Sequence, residues 1–156
     1  MSAPDYETIY DFEGAIETAV KTLLTNNSIT AYRQRDASEV STPFAAVKFS
    51  GVAATGHMAK LPNGDMRPDQ FAGQLEILTE TNRSQNDADH TTVRAKIRNL
   101  IYKFQETLTK TLLPYHAIYE SMETSSISGV DSENNVDITT INFRLSFAIR
   151  SDAWPA

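Results

Sequence analysis

From Val136 to Arg150 apolar and polar residues take turns. Phe143, Leu145, Phe147 and Ile149 occupy every second position, and Arg144, Ser146, Ala148 and Arg150 fill the gaps. A period of two marks a strand with one buried face and one wetter face. The parity changes upstream, because Val136 and Ile138 are even while Ile141 and Phe143 are odd. One added residue reverses facing, so the pattern predicts a bulge or sharp twist at Thr139-Thr140. Tyr115 to Val130 reads as a second extended segment, with Ile118, Tyr119, Met122 and Ile127 as apolar anchors. The turn-rich run Asp131-Ser-Glu-Asn-Asn135 joins the two into a long hairpin whose outer end reaches past the core.

Two stretches follow a helical period instead. Tyr6 to Leu24 places Ile9, Phe12, Ile16, Ala19/Val20 and Leu23 on one stripe, and Thr8 with Asp11 resembles a weak N-terminal box. Asp5, Glu7, Asp11, Glu13 and Glu17 crowd its first half and Lys21 follows, an order that suits the helix dipole. Asp87 to Leu112 is the stronger helix, opened by a Ser84/Asp87 box and striped by Val93, Ile97, Leu100/Ile101, Phe104 and Leu108. Glu106 and Lys110 form a favourable pair within it, and Pro114 stops it. Arg94, Lys96, Arg98 and Lys103 put basic charge on its other faces, where solvation or salt bridging is the ordinary expectation.

Between the helices, Thr30 to Arg33, Phe44 to Val52 and Phe71 to Thr81 read as strands, and Arg35 to Thr42 as a loop. Ala53 to Gln70 interrupts the second pair. It contains Gly56, Pro62, Asn63-Gly64 and Pro68. Asn-Gly is a strong hairpin-turn signal because both residues tolerate positive φ. Met58, Leu61 and Met66 flank the turn. An excursion this long is either a surface loop or an arm that orders against a neighbouring subunit, and adaptable apolar groups near the tip suit a contact surface.

Composition sharpens the picture by exclusion. At 156 residues the chain suits one domain over 1–156 and can bury roughly 68–70% of its unfolded surface. It has no cysteine, hence no disulfide framework and no thiolate site. The start Met1-Ser-Ala-Pro-Asp-Tyr-Glu lacks the features of an export signal, and no apolar run approaches a membrane span. The net charge of −6 argues against a free-standing nucleic-acid binder, but not against a surface that DNA must slide past. His57, His90 and His116 are not at metal-ligand spacing, and no nucleophile elbow, phosphate loop or dinucleotide motif occurs. The expectation is therefore no catalytic, cofactor or metal residues. Trp154 is expected to cap the edge of the core.

The residues predict an α+β fold: a mostly antiparallel sheet of four to five strands, two helices packed on one face, and a long loop or hairpin arm. Four segments then carry a resemblance: Asp11-Phe-Glu-Gly-Ala-Ile16, Leu61-Pro-Asn-Gly-Asp-Met66, Val93 to Leu113 leading into Tyr115, and Asn142-Phe-Arg-Leu-Ser-Phe-Ala-Ile-Arg150. In this order the chain resembles the tail terminator proteins of long-tailed bacteriophages, also called tail completion or neck proteins. The resemblance is one of architecture and spans nearly the whole chain. It implies a virion protein made in the host cytoplasm that forms a homo-oligomeric, hexameric ring on the tail tube protein, ends tube growth and meets a head connector or adaptor. It implies no enzyme activity, no cofactor, no membrane, and DNA passing through the lumen without specific binding.

A ring needs two different patches that meet head to tail. The arm residues Met58, Lys60, Leu61, Asn63, Gly64, Met66 and Arg67 are one candidate patch. The acidic Asp11, Glu13 and Glu17 against Arg94 and Arg98 of a neighbour are another. Other readings are a different head-completion or connector protein and a small-molecule-binding α+β module.

Overall fold

Three strands that alternate in sequence lie side by side in space. The computed structural model describes residues 5–36, 43–82, 87–103 and 111–155. The elements in order are α1 (Tyr6–Tyr10), α2 (Phe12–Asn26), β1 (Ala31–Arg33), a 3-10 turn (Gln34–Asp36), β2 (Phe44–Ala54), β3 (Met58–Lys60), β4 (Met66–Pro68), β5 (Gln70–Asn82), α3 (Asp87–Tyr102), β6 (His116–Asp131) and β7 (Val136–Ile149). They give an α+β fold. One sheet has five strands in the order β1-β2-β5-β7-β6, and a second has the pair β3-β4. Among the described residues all pairings are antiparallel except that of β1 with β2.

The odd-numbered residues of β2, β5 and β7 supply the core. Val47, Leu75, Ile77, Ile141, Phe143, Leu145 and Phe147 are almost wholly buried. They form one cluster with Ile16, Val20, Leu23 and Leu24 of α2 and Ile97, Leu100 and Ile101 of α3. The even-numbered Lys48, Ser50 and Arg144 are exposed, and Gln74, Glu76, Leu78, Thr140 and Asn142 are half-buried. Phe147 is the hub of an aromatic group. Phe12, Phe71, Phe49 and His116 have ring centroids 5.2, 5.8, 5.9 and 6.1 Å from it. Phe49 reaches this group by lying across Gly73 of β5, where an added Cβ would come within 2.5 Å of Cζ.

Several expectations are corrected. The first helix breaks at Asp11, whose ψ of 69° is not helical, and each half has its own acidic cap. The Asp5 carboxylate accepts from Thr8 N and the Asp11 carboxylate from Gly14 N, so Thr8 receives a cap and does not provide one. No shift occurs at Thr139-Thr140, and β7 pairs with β5 in one register from Val136 to Ala148. The irregularities fall on β6, between Ile118 and Glu120 and between Glu123 and Ser125. The parity misleads because Thr139 takes an inward position and is fully buried. Its carbonyl accepts from Thr79 Oγ1 and its hydroxyl bonds Ser128 Oγ at 3.0 Å, which satisfies the buried polar groups. The second helix is described only to Tyr102; Ser84, Phe104, Glu106, Leu108 and Lys110 lie outside the described residues. Trp154 is buried in the core cluster beside Tyr10, as its composition suggested.

His116 opens β6 from inside the core. Its Nε2–H donates to Ile9 O at 2.7 Å, tying α1 to the sheet. Nδ1 is buried with no partner among the described residues. Burial lowers the pKa below 6.5, the Arg150 charge acts the same way, and the bond to Ile9 opposes them.

Two predictions follow from this packing. Gly73→Ala should push Phe49 off its position and cost about 1–3 kcal/mol in denaturant unfolding. Adding Phe49→Leu should recover part of that loss, so the pair costs less than the sum of the single changes. Strict additivity would contradict the contact. For His116, the unfolded chain holds the proton more tightly than the folded one. Stability is therefore full above pH 6.5 and falls as pH drops from 6.5 toward the lower folded value. His116→Gln does not titrate and should flatten that slope in urea titrations at stepped pH.

Candidate assembly surfaces

The 53–70 excursion is a built hairpin. Met58, Ala59 and Lys60 pair with Pro68, Arg67 and Met66. Leu61 N donates to Asp65 O, Gly64 N to Leu61 O, and Asp65 N to Asn63 Oδ1. Gly64 sits at φ 93°, which explains glycine after asparagine here. His57 Nδ1 meets Asp69 Oδ1 in a hydrogen bond at the base.

This hairpin lies against its own chain. Leu61 is 3% exposed and belongs to the core cluster. It lines a cleft with Ile149 and Trp154. The Arg67 guanidinium sits 4.2 Å over the Tyr6 ring and donates to Tyr10 OH at 3.1 Å, so it anchors the hairpin to α1. The bond to Tyr10 raises its pKa further. Lys60, Asn63 and Gly64 remain exposed, and Met58 and Met66 are 44% and 57% exposed. Met58, Lys60 and Met66 share one side by register, opposite Ala59 and Arg67.

The charged candidates divide in the same way. Asp11 and Glu13 are exposed, and Asp11 caps α2. Glu17 is not part of a solvated acidic face. It is 8% exposed, binds Arg33 at 2.8 and 2.9 Å through Oε1, and accepts from Phe49 N at 2.8 Å through Oε2. Arg98 pairs with both carboxylate oxygens of Glu123 on β6, at 2.7 and 3.3 Å. Arg94 donates to Ser128 Oγ and Thr91 Oγ1. Both arginines thus join α3 to β6 within the chain. Bringing Arg94, Arg98, Glu123 and Ser128 together requires the β6–β7 hairpin to fold beside α3, which spacing alone does not reveal.

Among the described residues no group of three or more His, Asp or Glu side chains could hold a metal ion. No described helix is long and apolar enough to cross a membrane.

No protein-family model matches the chain, and no curated protein matches it by sequence. Its fold has solved counterparts. The chain is similar to a protein in the virion of the native gene transfer agent (GTA) particle. The match covers 89% of this chain and 98% of that one, with a TM-score of 0.57 and 11% identity.

Glu17 gives the sharpest test of this region. Glu17→Ala strands Phe49 N–H and Arg33 together and should cost about 2–3 kcal/mol. Glu17→Gln keeps an acceptor and should cost about 1 kcal/mol. Equal losses in thermal and urea unfolding would show that the carboxylate charge and the backbone bond cannot be separated.

Proposed function

We propose that this chain is a structural protein of a phage-like virion, and within that class a tail terminator. It forms a homohexameric ring on the end of the tail tube, stops tube polymerisation and offers a surface to the head connector or adaptor. The observation that carries the virion reading is the fold likeness to a gene transfer agent virion protein, which takes in nearly all of both chains. The finer placement at the tail end rests on the order of elements: split N-terminal helix, hairpin-bearing strand pair, long helix and long terminal hairpin. In this reading the chain is not an enzyme and takes no cofactor. DNA passes through the ring lumen, and the net charge of −6 opposes sticking to it.

The exposed residues of the candidate patches serve this assembly. Met58, Lys60, Asn63, Gly64 and Met66 present a partly apolar face on a hairpin that Leu61 and Arg67 already hold in place. Such preorganisation lowers the ordering cost of a contact. Asp11 and Glu13 face outward as an acidic surface for a neighbour, while Arg94 and Arg98 give α3 its basic character.

The test is to add the purified chain to growing tail tubes and image them by negative stain. Rings at tube ends and an arrest of lengthening are expected. Binding to DNA-filled heads without binding to tubes would favour a head-completion role instead. A chain that ignores both and stays monomeric would overturn the virion reading.

A further inference from the structure

β6 is the last strand of the five-stranded sheet, and among the described residues it pairs with β7 alone. From Ser125 to Asp131 that pairing runs without a shift. The backbone groups on the outer side of this segment therefore form a regular row with no strand beside it among the described residues. Thr124 to Val130 contains no charge and no proline, two of the devices by which sheets blunt an edge. Ile127 is 69% exposed and Val130 53%.

A second stretch with no strand beside it among the described residues lies at the opposite side of the same sheet. β1 covers β2 only from Ala45 to Val47. Glu17 takes the next N–H on that side, at Phe49. Ser50 to Ala54 carries neither charge nor proline and, Val52 apart, is exposed. Gly51, at φ 67°, sits in a register shift between Ser50 and Ala53, a bulge that increases local twist.

We infer that copies of this chain join by strand addition, the Thr124–Val130 edge of one against the Ser50–Ala54 edge of the next. The inference deepens the ring reading above and rests on it. Strand direction allows the match. Three antiparallel steps separate β2 from β6, so the two run oppositely. Copies set side by side in the same sense then meet as antiparallel partners.

Charge selects β2 of the second copy over its β6. α3 lies along β6 through Arg98–Glu123 and Arg94–Ser128. α2 lies along β1 and β2 through Glu17. Glu123 and Ser128, which hold α3, lie opposite the inward Phe143 and Thr139, and Glu17 of α2 binds at the inward Phe49, so both helices flank the junction from the core side of the sheet. Residues 87–103 carry Arg94, Lys96, Arg98 and Lys103 against Asp87 and Asp89, four bases to two acids and a net +2. Residues 5–17 carry Asp5, Glu7, Asp11, Glu13 and Glu17 and no base. Head-to-tail pairing brings the basic helix of one copy toward the acidic helices of the next. Pairing two β6 edges would set basic against basic. A contact between two different edges repeats from copy to copy, and it closes into a ring where twist turns each sheet from the plane of the last.

The chain has no cysteine, so Ala53→Cys and Ile127→Cys each place a single thiol on one edge. Under assembling conditions a short bis-maleimide should link the two variants when mixed and link neither efficiently to itself. Ala53→Lys and Ile127→Lys should each raise the midpoint concentration for self-association about tenfold or more, with the melting temperature of the monomer kept. Efficient self-linking of Ile127→Cys would overturn the inference in favour of a two-fold pair. Assembly that yields no mixed link and tolerates both lysines would overturn it while leaving the ring intact. A chain monomeric at its highest soluble concentration and on tail tubes would overturn both readings.

Discussion

The sheet depends on how β2 ends its partnership with β1. β1 stops at Arg33, and the chain turns away into Gln34–Asp36. Ala45 N donates to Thr30 O, and two positions later Val47 is still paired with Arg33. At Phe49 no strand remains to receive the N–H that points the same way. The side chain next to it belongs deep in the core, so this donor lies where an unmet hydrogen bond costs about 1–3 kcal/mol. Glu17 supplies the acceptor from α2, and Arg33 supplies the charge that makes a nearly buried carboxylate tolerable. One group thereby sets the height of α2 over the sheet and the point where β1 may leave. It also fixes Phe49, whose ring then covers Gly73 and reaches Phe147.

From Phe147 the constraint passes to the termini. Phe12 lies against Phe147 and Phe71, and His116 packs on Phe12 and Phe147 while bonding Ile9. Tyr10 in turn meets Trp154 near the C-terminus and Arg67 of the β3–β4 hairpin. The split at Asp11 makes this possible. A straight helix through Tyr10 would keep it on the axis of α2, whereas the break lets α1 turn and receive the hairpin. The hairpin is thus held by the same end of the molecule that the aromatic group organises.

Much of this was legible in the sequence. The strand from Phe71 to Thr81, the alternation of Ile141 to Ile149, the helical stripe from Phe12 to Leu23 and the Asn63-Gly64 turn each rest on local patterns that tertiary packing did not override. The failures share a cause. Thr139 is polar and inward, and Glu17 is charged and nearly buried, because each finds partners far along the chain. A hydropathy pattern prices such residues as outward. The irregularities on β6 were invisible because Ile118 and Tyr119 are adjacent apolar residues and Glu123 to Ser125 are consecutive polar ones, so neither place carries a period to break. The candidate surface was legible only in part. The residue types of the arm and of the charged helices were named, but Leu61, Arg67, Glu17 and Arg98 are engaged within the chain by contacts that no spacing announces.

Intramolecular engagement of those side chains changes what can bring copies together. With a net charge of −6, two copies repel one another at long range. Five of the acids sit in residues 5–17, so that repulsion is uneven, and a basic α3 at the other side of the sheet gives it direction. Direction alone is not specificity, because exposed ion pairs are worth little and salt screens them. Backbone edges are better suited to fix register, since each hydrogen bond formed along a strand must agree with the next. The two uncharged edges lie where the charge gradient would deliver them. The steering then belongs to the helices and the fit to the backbone edges of the strands.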